Sequence, residues 1–573
     1  MYVAYETNDV TCAPLGVVVV PSRSVSLERP NAPAGILTRI AHVPFELCIL
    51  PPVLLVAILL RFDALTQRGL IFWDEGKFSL EGLNLYVRLE SLLGSHSIAL
   101  TGKTIGTAKP THALLIALSY AVLGVHDYAP LMLDATASVL QVGLLFLLGR
   151  RLFGVHVALL ATLLLAVSGY DILYARSALS ESDANLFFVG GVLVWSCSIA
   201  QRGKLQVASV SEAARTRLLA GFLIGLGFTT NYRLIVYIAV LVGLDLAIVC
   251  RRRGWGSGTQ ALILWTAGVA ICPVLWEIIG LVARGYGVVL FRSEITHRPA
   301  SYFSEVLYQI HGGRQSAVRF NPLLYVEWYR IRQGWPMLVL LIVGLGIAAV
   351  RRMTNWLIPA TLVVVPYMLY SFAPVFVPRN LDLTIPFCSL LIAAVLVTAL
   401  SAIARHRVSA VVLLALSFIL AAYDGVQSWN LTAQRSGFAE AALYVRDRGT
   451  ENVLIVNEVM RFYLRDSGQT CDTPHLPATL SSLAAADRVG DEYVILDRRG
   501  STIARYLIQH FRPVKQYFAA GPLVWGENVI ASENGYAPGA QRGRLIDVFS
   551  LDSMHLLGGH TARSPTCALD RVA

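Results

Sequence analysis

Charge is scarce in this chain. Only 15% of its 573 residues are Asp, Glu, Lys or Arg, 55% are hydrophobic, and the mean hydropathy is +0.58. A soluble chain carries about a quarter charged residues, so one large water-soluble core is excluded. The eight cysteines include no CxxC pair and no cluster with histidine, so no zinc site is indicated; most read as small apolar fillers of helices. Residues 1–42 lack the charged-then-apolar layout ending in a cleavage site that marks a signal peptide, and VVVV at 17–20 is too short to span a bilayer. That stretch is expected to be a cytosolic, poorly ordered tail. No half of the chain repeats the other. The net charge is +10, but the basic residues sit in short loops between apolar runs. That pattern reads as membrane topology and excludes nucleic acid as the partner.

What is present is a series of apolar runs over the first 424 residues. Candidate spans are 43–61, 129–149, 154–174, 183–200, 217–231, 233–250, 259–281, 335–350, 355–373, 382–402 and 408–424, each near the roughly 20 residues a bilayer requires. The fifth is short. Segment 110–125 (PTHALLIALSYAVLGV) is the ambiguous one. The loops 150–153, 201–217, 250–258, 351–355 and 403–409 hold 13 Lys/Arg against one acid, Glu212. All five belong on the cytosolic side, which requires that 110–125 not cross. Pro110 suits a first helical turn, and His112, Ser119 and Tyr120 interrupt the apolar run, so this segment is expected to be a helix lying at the outer membrane surface. The expected architecture is an α-helical polytopic membrane protein of about 11 transmembrane helices, with its N-terminus inside. The membrane region covers 43–424, with outer loops 62–128 and 282–334.

Composition changes near residue 425. Segment 436–448 has helical periodicity that Gly449 can stop, VLIV (453–456) and YVIL (493–496) read as short buried strands, 501–511 reads as helix, and alternation returns at 545–551. Residues 425–573 are expected to form an extracytosolic soluble α/β domain. It carries no Gly-rich phosphate loop and no nucleophile elbow, and packing or acceptor positioning is its expected role. Cys471 and Cys567 both fall in it; pairing is left open.

The few charges are informative, because charge within a bilayer is costly. Asp74 and Glu75 follow the first span, and Glu181 and Asp183 open the fourth. Lys77, Lys103, Lys109, Arg176, Arg233, Arg298, Arg314, Arg319 and Arg379 share the outer side. Acids beside many cations suit a ligand that is anionic and also has a proton to remove. A lipid-linked sugar phosphate fits: cations stabilise the leaving phosphate, and a carboxylate takes the proton from the attacking hydroxyl.

In this order the motifs resemble the GT-C polyprenyl-phosphate-sugar glycosyltransferases, notably the protein O-mannosyltransferases and the aminoarabinose transferases of lipid A. The likeness rests on WDEGKF (73–78), AKPTHALLIAL (108–118), LLGRRLFG (147–154), YARSALSESDANLFF (174–188) and, after Arg379, LDLTIPF (381–387), and covers roughly 43–424. It implies inverting transfer of a hexosyl or pentosyl group from a polyprenyl-phosphate donor to a hydroxyl on protein, lipid or polysaccharide, in a bacterial inner membrane. By resemblance, Asp74 is the general base and Glu75 its support. Lys109, Arg176 and Arg379 bind the donor phosphate, and Glu181, Asp183, His112 and Arg233 line the pocket. No metal ligand set stands out, although some relatives hold a divalent metal, and no other cofactor is expected. Three positions depart from the pattern: Ala108 where an acid is common, Thr111 in place of a second proline, and Asp134 where an arginine is usual.

Plainer readings stand beside these. Asp74 and Glu75 also suit a solvated turn or helix cap, Lys109 a snorkelling lysine, Arg176 a neutraliser of Glu181, and Arg233 and Arg379 lipid-headgroup anchors. His297, His311, Tyr302 and Tyr308 read as ordinary loop residues. Asp245 and Glu277, within spans, suit helix–helix hydrogen bonding. A secondary transporter, or a non-catalytic envelope-assembly protein, is the competing function. The former calls for ionisable groups at the bilayer midplane and repeated halves.

Overall fold

A computed structural model describes residues 45–92, 108–198, 210–291, 298–310, 320–372, 378–403, 407–433, 435–448, 453–455, 458–464, 493–497, 512–519 and 544–550. From Ile49 onward these belong to one compact unit. The helices are α1 (Phe45–Phe62), α2 (Trp73–Leu92), α3 (Pro110–Leu123), α4 (Tyr128–Leu152), α5 (Val155–Ala166), α6 (Gly169–Ala175), α7 (Glu181–Ser196), α8 (Val210–Thr230) and α9 (Leu234–Arg253). They continue with α10 (Trp255–Gly285), α11 (Tyr302–Ile310), α12 (Pro322–Arg351), α13 (Thr354–Tyr370), a 3-10 segment (Pro378–Thr384), α14 (Ile385–Ile403), α15 (Arg407–Thr432), α16 (Phe438–Arg446) and α17 (Glu458–Tyr463). An apolar run in an apolar surrounding has to satisfy its own backbone, and the helix does so locally.

Over its described residues, each of the eleven apolar segments lies mainly on a helix, a bent helix pair or the 3-10 segment with the helix that follows it. Among the described residues, six helical stretches are long and apolar enough to cross a membrane: 48–67, α4, α9, α10, α12 and 378–402. The pair α5 and α6, bent by 59°, makes a seventh if it is one span. Leu55, Leu147, Ile263, Val339 and Ile342 stay largely exposed on these stretches, as side chains facing lipid do. The chain is an integral membrane protein. The fifth segment is less short than its apolar run suggests, because α8 begins at Val210 and is 21 residues long. Segment 110–123 is a helix with Pro110 in its first turn, one face of which (Thr111, His112, Ile116, Tyr120) is buried while Val122 is exposed.

Two devices hold the helices together. The first is a buried charge network. The Arg61 guanidinium, fully buried near the end of α1, donates to Asp171 at 2.6 Å, to Ser138 on α4 at 2.7 Å and to the Ala166 carbonyl at 2.9 Å. Ser138 in turn donates to Asp171 at 2.7 Å. The break between α5 and α6 supplies the acceptors: Ser168, extended at the N-cap of α6, accepts from the Asp171 amide. The second device is close backbone approach. A Cβ added at Gly225 would stand 2.6 Å from the Val269 carbonyl oxygen, and one at Gly268 2.6 Å from that of Leu218, so α8 and α10 meet over small residues. Asp245 and Glu277 serve packing here as well. Asp245 accepts from Arg217 at 2.7 Å and Trp265 at 2.9 Å, and Glu277 accepts from the Phe303 amide.

After α15 the chain continues into α16 and the strands β1 (Val453–Ile455), β2 (Tyr493–Asp497), β3 (Lys515–Ala519) and β4 (Arg544–Ser550). They form one sheet in the order β1-β2-β4-β3, parallel between β1 and β2 and antiparallel elsewhere. β1, β2, β4 and α16 fall where the periodicity places them; 501–511, Cys471 and Cys567 lie outside the described residues. α17 packs against α2, and the Tyr463 hydroxyl accepts from the Leu70 amide at 2.9 Å while donating to Asp127 at 2.8 Å. Gly69, at φ +67°, lies so close to Ser436 and Tyr463 that a Cβ would stand 2.8 and 2.9 Å from them. This region therefore grips the loop that leads into α2.

Breaking a buried ion pair by removing one partner costs about 3–5 kcal/mol, so Asp171→Ala is expected to lower the detergent-solubilised melting temperature sharply, whereas Ser138→Ala lowers it little. Gly225→Ala is expected to destabilise as well, because no rotamer relieves a Cβ–backbone clash. Thermal unfolding of the purified variants checks both.

Candidate active site

The loop after α1 sets the position of the acid pair. Glu75, fully buried, turns one carboxylate oxygen to the amides of Ile71 and Phe72. The other meets Arg68 at 2.9 Å and the Ala178 amide at 3.3 Å. Glu75 thus closes the turn that starts α2 and ties it to the α6–α7 connection. Its neighbour Asp74 is left pointing elsewhere.

Asp74 meets Arg379 at 2.6 Å, side chains that are only 10% and 6% exposed. Arg379 also lies 4.0 Å from Glu181. Glu181, in the first turn of α7, accepts from Arg233 at 3.1 Å and from Asn231 at 3.1 Å, while its second oxygen is buried with no hydrogen-bond partner among the described residues. Lys109, at the N-cap of α3, donates to Ser180 at 2.8 Å, and its ammonium stands 4.3 Å from the centre of the Phe78 ring. Phe78 lies one turn beyond Asp74 on α2. The N-termini of α2, α3 and α7 therefore converge, each with its positive dipole end directed toward the cluster, joined by Arg379 from the 3-10 segment.

That segment is firmly placed. Tyr170 donates to the Pro378 carbonyl, Tyr237 to that of Asn380 at 2.9 Å, Asn185 to Asp382 at 2.7 Å, and Asn380 to Tyr325 at 2.9 Å. Thr111 ties α3 to two other helices, sharing a hydrogen bond with Thr229 at 2.6 Å and accepting from Trp276 at 2.9 Å. A second proline at this position would lack both contacts.

The electrostatics follow from crowding like and unlike charges away from water. Burial pushes the Asp74 carboxyl up, but Arg379, Lys109 and Lys77 outweigh it and hold it at about 2. Burial likewise pushes the Lys109 ammonium down; Glu181 and Asp74 oppose, Arg379 and Arg233 assist, and the result is about 7. Asp74 is thus a firmly ionised carboxylate, and Lys109 a cation able to lose its proton near neutrality.

Of the residues expected at one site, Asp74, Lys109, Glu181, Arg233 and Arg379 meet in this cluster. Glu75 adjoins it as described. Arg176 does not join: its guanidinium donates to the carbonyls of Leu60, Arg61, Asp63 and Thr432, fastening the end of α1 to the end of α15. It does not neutralise Glu181, which Arg233 and Arg379 face instead. His112 and Asp183 pair with each other at 2.9 Å, beside Asp134. Lys103, His297, His311, Arg314 and Arg319 lie outside the described residues. Sequence reading missed Arg68, Ser180 and Asn231. Asn231, two residues before Arg233, and Ser180, directly before Glu181, carried a local signal; Arg68 becomes a partner through the tertiary fold.

The family described as dolichyl-phosphate-mannose-protein mannosyltransferase matches residues 107–276. No curated protein matches at the level of sequence. Among solved structures, ArnT from Cupriavidus metallidurans is similar both in its apo state (TM-score 0.54, 13% identity) and bound to undecaprenyl phosphate (0.56, 12% identity), each covering 87% of this chain and 97% of that one. The apo oligosaccharyltransferase of Archaeoglobus fulgidus is similar at TM-score 0.54 and 10% identity, over 79% of this chain and 69% of that one. This chain shares the fold of these proteins.

Proposed function

We propose that this chain is an inverting glycosyltransferase that moves a sugar from a polyprenyl-phosphate donor to an acceptor hydroxyl outside the cytosol. The observation that carries the reading is the meeting of two carboxylates, Asp74 and Glu181, with Lys109, Arg379 and Arg233 at three converging helix N-termini. A phosphate and an attacking hydroxyl need such a combination together. The matched family description and the ligand of the ArnT structure both name a polyprenyl phosphate, which supports the same donor class.

In this reading the acceptor oxygen attacks the anomeric carbon as the bond to the phosphate oxygen breaks. Polyprenyl phosphate leaves, and the hydroxyl proton passes to Asp74. A carboxylate clamped by Arg379 is a weak base. Donor phosphate competes for Arg379, and as that contact loosens Asp74 gains basicity, so the base is readied when the donor is bound. Lys109 and Arg233 share the charge that grows on the leaving phosphate. Glu75 and Arg176 act as positioning residues, holding the turn before α2 and the end of α1. The sugar is a hexosyl or pentosyl group, and the acceptor a protein, lipid or polysaccharide. The eleven-span arrangement, with the N-terminus cytosolic and residues 425–573 an outer α/β domain in a bacterial inner membrane, puts the cluster on the face where no nucleotide sugar is available.

Removal of a general base lowers turnover by about 10²–10⁴-fold. Asp74→Asn is therefore expected to lose sugar transfer to that extent, with expression and donor-lipid binding retained; unchanged transfer in reconstituted vesicles would overturn the assignment. Lys109, held at about 7, supplies a pH signature. Its cationic form is populated below that value and lost above it, whereas a phosphodiester keeps one negative charge throughout. Donor binding is expected to weaken about ten-fold between roughly pH 6 and 8.5, one to two units around that pKa. Lys109→Arg, which stays charged, is expected to flatten the profile. A wild-type profile flat over this range would remove Lys109 from the phosphate site.

A further inference from the structure

Behind the acid–cation cluster lies a second group of buried polar side chains that the transfer reaction does not use. His112 projects from the first turn of α3, Asp134 from α4 and Asp183 from the first turn of α7. All three are at most 1% exposed. One ligand atom from each lies within 4.8 Å of the other two. The Nδ1 of His112 and an Asp183 oxygen are 2.9 Å apart. Among the described residues, His112 Nε2 is buried without a hydrogen-bond partner, and so are both Asp134 oxygens.

Two carboxylates and an imidazole enclosed this way are poorly balanced by the protein alone. The His112–Asp183 contact meets that pair and leaves Asp134 as a buried group with no side-chain hydrogen-bond partner among the described residues, the costly case for a polar group away from water. We propose that His112, Asp134 and Asp183 bind one divalent first-row transition-metal ion, of the zinc or manganese type. The donor chemistry selects the class: imidazole nitrogen with carboxylate oxygen suits these ions, whereas calcium and magnesium favour all-oxygen shells. Neighbouring ligands of a cation bound at about 2.1 Å stand roughly 3.0–3.4 Å apart, octahedral to tetrahedral, close to the 2.9 Å between His112 and Asp183. The ion would neutralise Asp134, pin α3, α4 and α7 together, and set the first turn of α3, and with it Lys109. Phe78 links the two groups, packing edge-on against His112 at 5.5 Å and beneath Lys109 at 4.3 Å.

The site stands independently of the transferase reading, because its test reads metal. Tag-free full-length protein in detergent is stripped with chelator, loaded separately with Zn²⁺ or Mn²⁺, desalted and assayed for metal by mass spectrometry. About one ion per chain is expected for wild type and for Asp74→Asn, with at least ten-fold weaker retention in His112→Gln and Asp134→Asn. Wild type that retains no more than the His112→Gln/Asp134→Asn double variant would overturn the site, leaving a proton shared among the three groups as the alternative. Should the variants fail to fold, X-ray absorption of zinc-loaded wild type decides alone. One imidazole with oxygen ligands upholds the assignment; a sulfur-containing or all-oxygen shell overturns it.

Discussion

A charged side chain withdrawn from water among apolar helices has to be met by an opposite charge, and this requirement organises the molecule. The Asp74–Arg379 pair is its clearest expression. One partner opens the helix that follows the first span; the other sits on a short 3-10 segment near the start of α14. Each supplies the nearest opposite charge to the other where water is excluded. Drawing them together brings the front of the membrane region onto its back, and the three helix N-termini that converge there inherit a surplus of positive potential.

The same requirement is met elsewhere without producing a reactive site. Arg61 and Asp171, buried between α1, α4 and α6, have their remaining donors and acceptors satisfied by Ser138, Gln141 and carbonyls left open at the helix break. Arg217 and Asp245 are completed by Trp265. In both, the charged groups themselves are fully met, and such pairs rigidify. The outer cluster is not closed. Among the described residues Glu181 keeps one oxygen without a partner, Lys109 is held by one hydroxyl and an aromatic face, and its proton is labile near neutrality. Strongly shifted groups gathered in this way mark a candidate functional site rather than a purely structural ion pair.

Position is secured from outside the cluster. Glu75 spends its carboxylate on three amides and Arg68 to close the turn before α2. Tyr463 and Ser436, from the region beyond the last apolar run, hold the Leu70 backbone from the other side. Four polar contacts fix the 3-10 segment. The residues bearing the chemistry are therefore few, and those aiming them are spread over the whole chain.

Much was legible in the sequence for physical reasons. Long apolar runs fold as helices because the backbone has no other way to satisfy itself in hydrocarbon, so each of the eleven segments is mainly helical over its described residues. Cost restricts charges in such a chain to places with a purpose, so Asp74, Lys109, Glu181, Arg233 and Arg379 stood out and do meet. Strands at 453–455, 493–497 and 544–550 follow from short β-branched runs. Only the tertiary structure could decide pairing. Adjacent acids of like type, Asp74 and Glu75, point to different partners because successive helical side chains diverge by about 100°. Arg176, close in sequence to Glu181, instead spends its donors on carbonyls of α1, the loop after it and α15. His112, Asp134 and Asp183, with no motif spacing to announce them, become neighbours when three helices pack. Local composition dictates where a helix forms and that a buried charge must be compensated; which distant side chain compensates it is settled by the three-dimensional packing of surfaces that no linear pattern encodes.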